Sequence, residues 1–271
     1  MSDYDRNATA AKWGRPITRA ETTVIDAGLR AYMLGIYNYM VLGLAITGFA
    51  ALGVYLLSVT GDPALAMKNA SGAAIRVAGN QYLTSIGYSL FVSPLKWVVI
   101  LAPLGMVFFL SARMQQMSTT AAQIMFWVFA GLIGVSLGSI FLVYTQTSIV
   151  RVFFITAASF GALSLYGYTT KRDLSGMASF LIMGLVGVII ASLVNLFLAS
   201  SMLQFIVSVV GVLVFAGLTA WDTQRLKTEY VHGAMEGEAL EKSAIMGALS
   251  LYLNFINMFT MLLHLFGQRD Q

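Results

Sequence analysis

Cysteine is missing from this 271-residue chain, which removes disulfides, thiolate catalysis and cysteine metal sites together. Histidine occurs twice, as His232 and His264, too far apart in the chain to suggest a zinc site. Charge is scarce as well: charged residues make up 10% of the chain, against about a quarter in soluble domains. A soluble protein of this length could not cover its surface with so few charges. No GxSxG, HExxH, Walker or Rossmann pattern stands in a suitable context. An intramembrane protease would need a serine–histidine or paired-aspartate arrangement, and Asp222 is almost alone among acids near the later apolar segments. The expectation is a protein that is no enzyme and carries no cofactor.

What the chain has instead is apolar surface, 58% of its residues. A bilayer makes that composition workable, because lipid solvates an apolar exterior, so the chain is read as an all-α integral membrane protein. Its formal net charge of +4 is spread over loops. Lysine and arginine retained beside cytoplasmic helix ends explain this better than nucleic-acid binding, and no nucleic-acid partner is expected. Residues 1–30 are polar and mixed in charge, without the apolar core of a cleavable signal peptide. They are expected to form a cytoplasmic N-terminal segment, with residues 31–271 as one transmembrane domain and the first helix as insertion signal.

A spanning helix needs about 20 mostly apolar residues. Candidates run from about Ala31 to Leu57, Trp97 to Ala112, Thr120 to Tyr144 and Ile149 to Tyr168. After Lys171, Arg172 and Asp173 the next charge is Asp222, an interval that splits near Ala199-Ser200-Ser201 into a fifth and a sixth span. A charged loop from Thr223 to Lys242 precedes the last segment, Ala244 to Phe266. Seven spans result. With alternating spans, Arg6, Lys12, Arg15, Arg19, Arg30, Arg113, Lys171, Arg172, Arg225, Lys227 and Lys242 share one side, while Lys68, Arg76, Lys96, Arg151 and Arg269 share the other. The bias places the N-terminus in the cytoplasm. The C-terminus then lies outside, or returns inside if the last segment is re-entrant. Gly131, Gly134 and Gly138, and Gly184 with Gly187, read as close-packing stripes between helices.

Ionisable groups inside a membrane are costly, so each is a functional candidate. Asp222 ends the apolar run of the sixth segment; its plain reading is an interfacial acid paired with Arg225 one turn on. In the last segment Gly247, Ser250, Asn254, Asn257, Met261 and His264 recur at steps of three and four, forming one small or polar face. That face reads as the wall of a wet cavity or as a surface buried inside the bundle. Arg113 and Arg151 read as snorkelling interface charges, with an inward fold of an arginine toward Asp222 as the alternative. Asn38 and Asn195 read as packing hydrogen bonds, and His264 as interfacial.

Four stretches carry a resemblance: Ser93-Pro94-Leu95-Lys96-Trp97-Val98-Val99, then Tyr166-Gly167-Tyr168-Thr169-Thr170-Lys171-Arg172-Asp173-Leu174, then Ala220-Trp221-Asp222-Thr223-Gln224, and Ala248-Leu249-Ser250-Leu251-Tyr252-Leu253-Asn254-Phe255-Ile256-Asn257. In order and spacing the chain resembles the Bax inhibitor-1 family, also called the transmembrane Bax inhibitor motif family, and is closest to its bacterial members. The resemblance implies a seven-helix bundle with six helices around a central seventh, set in the bacterial inner membrane. It implies a pH-sensitive calcium leak, with a pair of aspartates late in the sixth helix and in the seventh as the sensor, and an arginine ending the second helix as the latch of the closed form. Asp222 matches the first aspartate and Arg113 is the counterpart of the arginine, but Asn254 stands where the second aspartate belongs.

That departure has consequences. Two close carboxylates share a proton and titrate as a pair; an amide cannot ionise, so a weaker or acid-shifted pH response is expected. Asp222 and Asn254 still offer oxygen ligands of the kind calcium accepts, with one charge fewer, so calcium binding there should be weak. Ser250, Asn257 and Gly247 are expected to line the cavity. Calcium, as transported ion, and membrane lipids are the expected partners. The competing expectation is a non-conducting regulator that binds other membrane proteins or proteases through the segment Thr223–Lys242 or the N-terminal thirty residues.

Overall fold

The computed structural model describes residues 19–77, 81–233 and 237–270. Residues 1–18 of the expected cytoplasmic segment lie outside the described residues. Helix α1 (Arg19–Ser58) is followed by a short antiparallel pair, β1 (Val59–Thr60) and β2 (Tyr82–Leu83), and by the small helix α2 (Ser85–Phe91). Then come α3 (Leu95–Arg113), α4 (Thr119–Leu137), α5 (Ile140–Val143), α6 (Gln146–Thr169), α7 (Ser175–Leu198), α8 (Ser201–His232) and α9 (Glu238–Phe266). Among the described residues, seven helical stretches are long and apolar enough to cross a membrane, supplied by α1, α3, α4 with α5, and α6 to α9.

Local chemistry sets several of these boundaries. Ser118 and Ser200 accept the backbone N–H groups of Ala121 and Leu203, which caps the starts of α4 and α8. The expected break at Ala199 is a left-handed residue, φ 47°, closing α7. Asn195 holds that turn: its Oδ1 accepts from Ser200 N–H at 2.9 Å, and its Nδ2 donates to Gln204 at 3.1 Å.

The largest difference from the sequence reading falls on Thr223–Lys242, expected as a loop. Helix α8 instead continues to His232 and α9 begins at Glu238. The charges here pair along the helices: Arg225 with Asp222 and Glu229, and Lys242 with Glu238. Spacings of three and four residues stabilise a helix outside an apolar run, so the loss of hydrophobicity marks the end of the span and not the end of the helix.

The last helix is continuous over 29 residues, long and apolar enough to cross a membrane. Its far end is stitched to the α5–α6 connection, where Thr145 N–H donates to Gln268 O, Asp270 N–H to Val143 O and Gln268 N–H to Ser148 Oγ. By burial α9 is the innermost span, with 67% of its most apolar stretch buried, against 11% to 39% in the others. Its principal neighbours are α8, α1, α6 and α4, while α3 leans on α4 and α7 on α8. Four helices thus make the main contacts of α9, and the other two pack chiefly against members of that set.

One face of α9 is aromatic. Tyr252 packs edge-on to Phe126 and Phe129, and its hydroxyl meets Thr47 of α1 at 2.6 Å. Small residues let neighbouring helices close in: Gly134 and Gly138 face α1, Gly184 faces Val214 of α8, and Gly167 lies against the backbone of Ala220. Gly131 and Gly187 meet nothing, so only part of each predicted stripe is a packing surface.

Candidate functional site

Asp222 lies where α8 meets α9, 3% exposed. It stands ten residues before His232, where α8 ends, so about 15 Å of helix separates it from that end. Its Oδ2 accepts from Ser250 Oγ at 2.8 Å and Asn254 Nδ2 at 2.7 Å, both on α9. Arg225 Nη2 lies 2.9 Å from Oδ1, a charge contact off the line of a hydrogen bond, which leaves Oδ1 a buried carboxylate oxygen with no aligned donor. A buried carboxylate needs paired charge and hydrogen bonds to remain ionised. Here one helix supplies the charge and its neighbour supplies the donors.

The predicted polar face of α9 is mostly a seam. Gly247 receives Leu226 of α8 and Ile36 of α1, Met261 packs on Gly211 of α8, and His264 Nδ1 bonds Gln204 Nε2 of α8 at 2.8 Å. Asn257 turns back to its own helix, donating to Leu253 O at 2.8 Å, and is not part of the lining of the cavity beside Ser250. Asn254 presents its NH2, and not its carbonyl oxygen, to Asp222, so calcium coordination by the two side chains would require the amide to turn over.

Arg113 does not latch Asp222. It is exposed at the end of α3, and its Nη1 donates to Gln116 Oε1 at 2.8 Å. The position beside the carboxylate is filled by Arg225, which has only one helical turn to span and is held further by Trp221, whose ring centre is 5.0 Å from its guanidinium carbon. The pairing first read as the plain alternative is thus present, together with the interhelical bonds that an interfacial acid would lack.

Ser250, Gly247 and Arg225 also line an open cavity of about 1300 Å³. Its mouth lies among the α6–α7 connection, the late turns of α8 and the first turns of α9; Ser111 reaches it from α3. Lys171, Arg225, Lys227 and Lys242 line it against Asp173 and Glu229. The Ser175 backbone N–H, at 2.8 Å, holds the exposed Asp173 carboxyl below the usual range. Gln224 fixes one wall, accepting from Leu174 N–H and donating to Arg172 O, while Lys227 donates to Tyr168 O near the end of α6. Three of the four stretches singled out in the sequence meet here. The fourth, Ser93–Val99, starts α3 at its opposite end.

Sequence reasoning missed a chain of hydroxyls beside the site. Tyr37 of α1 meets Ser164 of α6, which meets Thr223 of α8 at 2.9 Å, and Thr223 donates to Thr219 O. Serine and threonine are ordinary in membrane helices, and only the packing of three helices makes these a line.

Residues 29–271 match the family model described as inhibitor of apoptosis-promoting Bax1. Among similar proteins are an uncharacterized protein of Rickettsia prowazekii, 42% identical over 269 residues that cover 99% of both chains, and an uncharacterized protein of Caulobacter vibrioides, 42% identical over 267 residues and 98% of both. The inner membrane protein YbhL of Escherichia coli is 41% identical over 245 residues, 90% of this chain and 94% of its own.

Proposed function

This chain belongs to the Bax inhibitor-1 family, and from that premise we propose that it is a pH-sensitive cation leak of a bacterial inner membrane, with calcium as cargo, Asp222 as its gate, the N-terminus in the cytoplasm and no catalytic step. The observation that carries the reading is a buried carboxylate directly behind Ser250 and Arg225, which line an open cavity. Beyond that carboxylate the α8–α9 seam closes on Met261, Gly211, Gln204 and His264. Ionised, Asp222 ties Arg225, Ser250 and Asn254 to one point and the seam stays shut. Protonated, it releases Arg225 and loses its grip on α9, and the path can open. Calcium flux into proteoliposomes of the parent, Asp222→Asn and Asn254→Asp proteins tests the assignment. Identical flux and pH profiles in all three would remove it.

A second reading, a non-conducting regulator of other membrane proteins, draws support from two features. Arg225 already neutralises Asp222, and four basic residues against two acidic ones disfavour gathering a divalent cation in the cavity. The contact surface would be the segment Thr223–Lys242, which holds the end of α8 and the start of α9. Co-purification from native membranes with Glu238→Gln/Glu241→Gln protein separates the readings: loss of a bound protein with flux unchanged favours the regulator.

A further inference from the structure

We propose that the groove between α1 and α6 holds one anionic phospholipid, its phosphate on Arg30 and one acyl chain along Leu34, Val41 and Leu165. This inference stands independently of the gating reading. Helix α1 packs chiefly on α4 and α9, and α6 on α8 and α9, so the two diverge at the surface and leave a trough of about 610 Å³. Met33, Met40, Phe160 and Ser164 are buried in its floor, while Leu34, Val41 and Leu165 are more than half exposed along its sides.

These residues belong to two membrane spans, and a trough open sideways at that depth meets lipid tails. From Arg30 to Val41 it runs about 16 Å along α1, close to half of a hydrocarbon core about 30 Å thick, the depth of one leaflet and so of one chain. One end is apolar and the other cationic. Arg30 is exposed and has no hydrogen bond or ion pair among the described residues, leaving its guanidinium fork for a phosphate. Tyr168 closes the same end and carries Lys227 Nζ 5.2 Å from its ring centre, a second positive charge for an anionic head group. Gly161 lines the trough, and a side chain there would meet nothing within 4 Å, so filling it displaces ligand and not protein.

Native mass spectrometry of the full chain, delipidated in detergent and titrated with phosphatidylglycerol or phosphatidylcholine of the same tails, tests this. The parent should retain a single phosphatidylglycerol in preference to phosphatidylcholine. Arg30→Gln should weaken phosphatidylglycerol about fivefold and leave phosphatidylcholine unchanged. Gly161→Leu should lose both, as should Leu34→Trp, a second obstruction at an exposed site. Gly105→Leu, on α3 where a side chain also meets nothing, should bind as the parent does. Absence of a preferred single lipid in the parent, unaltered retention in both obstructed variants, or a preference undiminished by Arg30→Gln would each overturn the assignment.

Discussion

Replacing Asn254 by aspartate gives Asp222 the partner acid expected from the family and turns a donor at 2.7 Å into an acceptor. Two like charges relaxed to about 4 Å repel by about 4 kcal/mol at an effective dielectric constant of about 20. Like charges this close share one proton, so the pair should hold it more tightly than a lone carboxylate does. Arg225, 2.9 Å from Oδ1, should offset about 1 kcal/mol of that repulsion. The sign follows: an acid that holds its proton more tightly when folded loses stability as pH rises from its unfolded-state range through its folded-state one. The variant's melting temperature in detergent should therefore fall as pH rises from the ordinary carboxylate range through the pair's raised one, by the equivalent of about 3 kcal/mol, and level off above it. Its calcium flux should change over the same interval, at higher pH than in the parent. A flux profile superimposable on the parent's, with a melting temperature indifferent to pH, would refute both the contact between residues 222 and 254 and its control of the gate.

Removing the Ser250 hydroxyl with alanine takes one of two donors from Asp222 Oδ2 and should lower stability by about 1.5–3 kcal/mol in thermal melts. Gly167→Ala drives a methyl group into the Ala220 backbone and should destabilise by about 1–3 kcal/mol, whereas Gly161→Ala should change little. Because the chain lacks cysteine, single cysteines placed at Asp173 and Gln268 should react with a membrane-impermeant thiol reagent from opposite faces of the membrane; labelling from one face would mean that α9 does not cross.

Apolar runs locate all seven spans, because the length of a spanning helix is set by bilayer thickness and because Ser118, Asn195 and Ser200 mark helix ends by chemistry that sequence displays. The charged continuation of α8 was not legible in the same way. Its stability comes from pairs such as Arg225–Glu229, while hydropathy records only that the chain has left the hydrocarbon. Asp222, Ser250 and Asn254 were legible as candidates by their expense in a membrane and their spacing, and they do meet. Arg113 failed because a resemblance carries over a role without the distance, and Arg225 is one turn away. Asn257 failed because a helical face cannot tell an amide that looks outward from one that bonds its own backbone. The line from Tyr37 to Thr223 needed three helices in place before it existed.

The binding of the C-terminal residues to the α5–α6 connection limits how the innermost span can move. Bonds from Thr145, Asp270 and Gln268 hold that end in place, so sliding along the membrane normal would break several of them together. Tilting about the anchored end would break none of these, and displacement would grow with distance from the pivot, past Ser250 and Gly247 at the cavity and on to Glu238. The molecule is in that sense a lever with its fulcrum at one face and its free arm at the other.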